Sequence, residues 1–136
     1  MTKLTFDMLR EANTLRLPTF RNALGELAHS QPDGSDWTPS DWLQALVGEV
    51  GEYANFRKKF QRGDITLEQF IVHASKELAD VQTYLDILAR RCLDLPGKPH
   101  PTGIDLGDAT LAKFNEVSQR VNSPIWIGPL GVQVRE

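Results

Sequence analysis

Cysteine is nearly absent: Cys92 is the single one in 136 residues. No disulfide can close within the chain, which fits a reducing compartment. No apolar run approaches the roughly 20 residues that span a bilayer. Near the N-terminus, Lys3, Asp7, Arg10 and Glu11 interrupt anything like the core of a signal peptide. The expected location is cytoplasmic, without membrane contact. Basic charge is not in excess either, since 15 Lys and Arg stand against 18 Asp and Glu, for a net charge of -3. Nucleic acid is usually met by a basic surface, so no such partner is expected. His29, His73 and His100 lack paired ligand spacing, so no histidine-held metal is expected. Repeats and low-complexity segments are missing.

What is present has the balance of an ordinary globular protein, with 40% hydrophobic and 24% charged residues. Length predicts a single domain over 1–136. Apolar spacing predicts an all-α fold, an antiparallel bundle of four to five helices. Thr5 is placed to cap a first helix from Phe6 to about Leu17, and Pro18 interrupts it. A short helical piece is expected from Thr19 to His29, then a loop over 30–36 rich in turn residues. Ser40 or Thr38, with Pro39 nearby, starts a long helix to about Gln61, ended by Gly63-Asp64. Thr66 caps a second long helix through Leu93. Three prolines and two glycines in 95–103 forbid a helix there. Asp105 or Asp108 begins a last helix to about Val121. Beyond it, Ile125-Trp126-Ile127 and Val132-Gln133-Val134 read as a small hairpin or as an arm on a neighbouring subunit.

The chain is organised around Leu46-Val47-Gly48-Glu49-Val50-Gly51-Glu52-Tyr53 and Lys76-Glu77-Leu78-Ala79-Asp80-Val81. Each stretch carries two acids three residues apart, on neighbouring parts of one helix face. Counting about 100° per residue, Glu49 falls inside a stripe of Trp42, Tyr53, Phe56 and Phe60, with Glu52 at its edge. On the second helix, His73, Glu77, Asp80, Tyr84 and Arg91 run along one flank of the expected core face Leu67, Phe70, Ile71, Ala74, Leu78, Val81, Leu85 and Leu88. Carboxylates in such a place are protonated, paired or bound to metal. Four of them from two packed helices need a cation, and hard oxygen ligands suit Mg²⁺, with Mn²⁺ as the alternative. A di-iron bundle would want Glu-x-x-His on two helices, and neither pair has the histidine. Gly48 and Gly51 each cost about 1 kcal/mol against alanine in a helix interior, which makes sense where a neighbouring helix or a ligand comes close.

These two acid pairs, separated by residues 53–76, and the later segment Ala112–Val121 are together a specific pattern. Over about residues 37–122 the chain resembles the MazG-like all-α nucleoside triphosphate pyrophosphohydrolases, in the group that includes dCTP pyrophosphatases. The resemblance implies hydrolysis of a (d)NTP between the α- and β-phosphates, giving (d)NMP and pyrophosphate. The substrate implied is a pyrimidine or non-standard deoxynucleotide. Glu49, Glu52, Glu77 and Asp80 would hold one or two Mg²⁺ ions, and Glu49 or Glu52 would also orient or deprotonate the attacking water. Tyr84 matches a position close to the nucleotide. Trp37 and Trp42 lie where related enzymes recognise the base. Lys113 and Arg120, on one face of the last helix, become phosphate contacts, and Asn115 a further substrate contact. Many members carry an asparagine four residues after the lysine, where this chain has Val117. Lys58 is a second phosphate candidate that also suits the C-terminal end of its helix.

Family members are obligate oligomers, and helices apolar on two faces do not bury themselves in a monomer; a homodimer or homotetramer is expected. The competing expectation is a helical nucleotide-binding or protein-interaction module that kept the fold and lost turnover.

Overall fold

Side-chain caps set where each helix begins in the structure, a computed structural model that describes residues 2–136. Helix α1, Phe6–Arg16, starts where Thr5 Oγ1 accepts from the Met8 amide. Helices α2, Pro39–Gln61, and α3, Leu67–Arg91, each open with a full capping box. In these boxes Thr38 is answered by Asp41 and Thr66 by Gln69. Asp105 caps α4, Leu106–Arg120. The tail folds back as the antiparallel hairpin β1, Ile125–Gly128, and β2, Gly131–Val134, with Ile127 opposite Val132. The fold is mostly helical with a C-terminal hairpin.

The short turn over 62–66 makes α2 and α3 a helical hairpin, the most extensive packing in the chain. Helix α1 lies on the C-terminal half of α3, and α4 packs between α1 and β1. Contact between α1 and α3 is polar at its centre. Asp86, only 1% exposed, accepts from Arg10 Nε at 2.9 Å and Asn13 Nδ2 at 3.0 Å. Arg10 also donates to Thr102 O and Ile104 O, which ties the 95–105 loop to the same point. That loop presses onto α3 where the Ile104 amide donates to Ala89 O. Gly103 has φ of 68°, and a Cβ there would collide with the Arg90 backbone, so only glycine allows the approach.

Two sequence expectations are corrected by the fold. The piece from Thr19 to His29 is not helical: a 3₁₀ turn, Leu17–Thr19, is followed by turns and isolated bridges. Asn22 Oδ1 takes the amides of Leu24 and Glu26, which gives the backbone a partner outside a helix. The α3 core is also displaced from the expected stripe. Trp42, Ala74, Ile87 and Ala89 are the buried apolar residues, whereas Leu67, Ile71 and Leu78 stay more than half exposed. The C-terminal half of α3 is covered by both α1 and α2; its N-terminal half meets α2 alone. The same holds for α2, where Leu43, Val47 and Val50 lie open. A Cβ on Gly48 or Gly51 would meet nothing within 4 Å, so no helix of the same chain approaches them.

Candidate metal centre

Glu49 and Glu52 are three residues apart on α2, and Glu77 faces them from α3. The register of the helical hairpin brings one carboxylate oxygen of each within 4.8 Å of the other two. Among the described residues this is the one group of three acidic, histidine or cysteine side chains so placed. Glu49 and Glu77 are half-buried and Glu52 is exposed. Glu77 Oε2 is buried and receives no backbone, basic or amide donor, so only a proton on a neighbouring carboxyl could meet it. A buried acceptor left unpaired carries its full desolvation cost.

The crowding changes how these groups hold protons. The Glu52 carboxyl is pushed above the ordinary range by its hydrogen bond with Glu77, then by that residue's charge, by burial and by the charge of Asp80. Glu77 is also raised, first by hydrogen bonding to Glu49, then by burial and by the charges of Glu49 and Asp80, against a lowering contribution from Glu52. Like charges this close cannot all ionise unless a cation or a proton sits among them. Converging hard oxygens with one orphaned lone pair fit a divalent cation such as Mg²⁺. Asp80 is exposed and stands outside the close group, although its charge is felt by Glu52, Glu77 and Tyr84.

Beside the carboxylates lies an aromatic wall. The Tyr84 phenol is raised by burial, then by the charges of Glu49 and Asp80, so it keeps its proton as a donor at neutral pH. Its ring is 6.2 Å from Trp42, whose indole is 1% exposed and sits 5.1 Å from His29 and 4.9 Å from Trp37. His29 in turn packs edge-on against Trp37 at 4.9 Å and Phe20 at 5.4 Å. Burial lowers the His29 pKa, leaving the ring neutral at pH 7. His29 Nδ1 and Trp42 Nε1 are both buried without partners.

Sequence-derived site residues thus divide into two groups. Glu49, Glu52, Glu77, Tyr84, Trp37 and Trp42 are drawn into one region, with Asp80 at its rim. The Trp42 ring is 1% exposed and enclosed by its neighbours, so within the chain it backs Trp37 and His29. Within this chain Asn115 is turned toward the hairpin. Its amide donates to Ile127 O at 2.9 Å and accepts from Ile127 N at 3.0 Å, so both ends are spent pinning β1 to α4. Lys113 is exposed on α4 and paired with Glu116 at 2.8 Å, and Arg120 is exposed at the end of that helix. Within one chain α4 packs mainly on α1 and β1, away from the carboxylates. Lys58 is exposed in the last turn of α2.

Sequence reasoning passed over His29 as a site residue, because a lone histidine in a turn-rich stretch carries no spacing signal. It also missed Asp86, although an acid inside Leu85-Asp86-Ile87-Leu88-Ala89 is itself a sign of a buried partner. Compared with known proteins, the chain matches no family model, no curated protein and no solved structure.

Proposed function

We propose that this chain is a Mg²⁺-dependent nucleoside triphosphate pyrophosphohydrolase that cleaves a (d)NTP to (d)NMP and pyrophosphate. The observation that carries this reading is the convergence of Glu49, Glu52 and Glu77 within 4.8 Å around the unpaired Glu77 Oε2. The likeness of the two acid motifs to MazG-like enzymes supplies the reaction class and the all-α pyrophosphatase type of bundle. When bound, the cation supplies charge neutralisation for the phosphates and their developing negative charge.

The chain's own residues do the rest. Glu49, Glu52 and Glu77 would hold the cation, and Asp80 at the rim would add a fourth carboxylate. The exposed Glu52, or Glu49 beside it, would orient the attacking water and take its proton. Tyr84, protonated and between carboxylates and aromatic wall, donates to sugar or phosphate. Trp37 and His29, backed by Trp42, form a surface that suits a base, a pyrimidine or a non-standard one included. Lys113 and Arg120 serve phosphate only if another copy brings α4 to the site, in a homodimer or homotetramer. No helix among the described residues is long and apolar enough to cross a membrane. Action on a free nucleotide in the cytoplasm fits this reading.

Pyrophosphate release from a panel of NTPs and dNTPs with Mg²⁺ tests it. Glu49→Ala and Asp80→Ala should each abolish turnover while leaving the helical circular dichroism intact. Release from no nucleotide, canonical or modified, would leave a binding or interaction module as the better account. Unfolding of both variants would make these acids structural.

A further inference from the structure

A cavity of about 370 Å³ opens beside the aromatic wall, between the end of α1, the 20–36 turns and the end of α3. Thr14, Leu27 and His29 line it together with Asp36, Arg91 and Asp94. It is therefore apolar on one side and carries opposite charges on the other. His29 joins it to the wall, since the same ring touches Trp37 and Trp42, and its Nδ1 is one of the buried atoms without a partner.

Helix α3 connects this cavity to the carboxylates. Glu77, Asp80, Tyr84 and Arg91 are spaced three, four and seven apart, so they follow one flank of the helix. At 1.5 Å per residue, Tyr84 stands about 10 Å along the axis from Glu77, and Arg91 about 10 Å further. Arg91 donates its Nε to Asp94, and its Nη2 lies 3.9 Å from Asp36. Asp94 is already committed, since it also accepts from the His100 amide. Asp36 has 68% of its side chain exposed and, among the described residues, no other ion pair, so its oxygens can accept from a ligand.

We propose that this cavity seats the nucleobase, and that Asp36 with Arg91 selects bases carrying an exocyclic amine next to a ring acceptor. The proposal rests on the triphosphate reading above. The amine of cytosine, adenine or guanine donates to Asp36, and the neighbouring ring nitrogen accepts from Arg91. In the same pose uracil, thymine and hypoxanthine turn a carbonyl toward Asp36 and a ring N–H toward Arg91, the reverse of the pattern this pair accepts. Leu27 and His29 take the flat face of the ring.

The test uses the full chain in EDTA, so that binding is read without metal and without turnover. Quenching of Trp37 and Trp42 fluorescence is titrated with CMP, AMP, GMP, UMP and IMP. Amine-bearing monophosphates should bind about tenfold tighter than UMP and IMP, the margin of one charge-assisted hydrogen bond. Asp36→Asn should erase that margin, and Leu27→Trp, which fills the cavity, should weaken all binding. Equal binding to wild type and Leu27→Trp, or no binding by any base, overturns the proposal. Should Leu27→Trp not fold, an unchanged preference in the surface variant Asp36→Asn overturns it alone. Pyrophosphate release separates this from the parent reading. Turnover with KM unchanged in Leu27→Trp sinks the cavity and leaves the hydrolase. Selective binding without pyrophosphate from any nucleotide keeps the cavity and sinks the hydrolase.

Discussion

Glu77 shows how one side chain links stability to function. Its raised carboxyl, with that of Glu52, means the folded chain holds protons that the unfolded chain releases near the ordinary 4.5. Stability from these groups is therefore complete below that value and is lost as pH rises through the raised folded pKa. Asp33, Asp41 and Asp94 act the opposite way: hydrogen bonds hold them below 3.8, so their contribution is lost as pH falls through the depressed values. Metal-free protein should thus be most stable in the acidic window between these two sets. Its melting midpoint should drop toward pH 8, and Mg²⁺ should raise it far more at pH 8 than at pH 5. Glu77→Gln should flatten the drop and remove most of the Mg²⁺ gain; scanning calorimetry across pH, with and without Mg²⁺, reads both. An equal Mg²⁺ effect on wild type and variant would show that the cation binds elsewhere.

At the scale of elements, Asn115 of α4 pins the C-terminal hairpin. A two-stranded sheet is marginal in water and needs packing to persist. Here Asn115 supplies both hydrogen bonds to Ile127, acting as a third strand would. Trp126 lies under Arg135, with the guanidinium carbon 3.9 Å from the ring centroid, which adds a cation–π contact across the strands. Asn115→Ala should cost about 1–2 kcal/mol, since two backbone groups lose their partner. Hydrogen exchange at Ile127 and along β2 should quicken while KM for any nucleotide holds steady. A raised KM with an unchanged hairpin would return Asn115 to the substrate.

The whole molecule has too much surface for its mass. A 15.3 kDa monomer is expected to expose about 7,100 Å². This chain exposes 10002 Å². The excess, roughly 2,900 Å², is of the size that permanent subunit interfaces bury. It coincides with Leu43, Val47 and Val50 on α2 and Leu67, Ile71 and Leu78 on α3, beside the open backbone of Gly48 and Gly51. Sedimentation at micromolar concentration should show a dimer or tetramer, and Val47→Asp should shift it toward smaller species and melt it earlier. A wild-type species of one chain's mass would refute the oligomer. It would also leave Lys113 and Arg120 without a role at the carboxylates.

What the amino-acid order determined alone is local. Thr5 and Thr66 mark two helix starts, the others are narrowed to Thr38 or Ser40 and to Asp105 or Asp108, and acids three apart share a face, because caps and helical neighbours act over one turn. The pairing of Glu49 and Glu52 with Glu77 was legible for the same reason: two amphipathic helices joined by a short turn have few ways to meet. Folding in three dimensions decided the rest. Arg10 meets Asp86 across 76 positions, His29 packs against two tryptophans that also touch each other, and Asn115 turns to a strand that the sequence places beyond its own helix. Such partners leave no periodic trace, since long-range contacts are chosen by what the packed helices bring within reach. Which half of α3 is buried was settled likewise, by where α1 comes to rest.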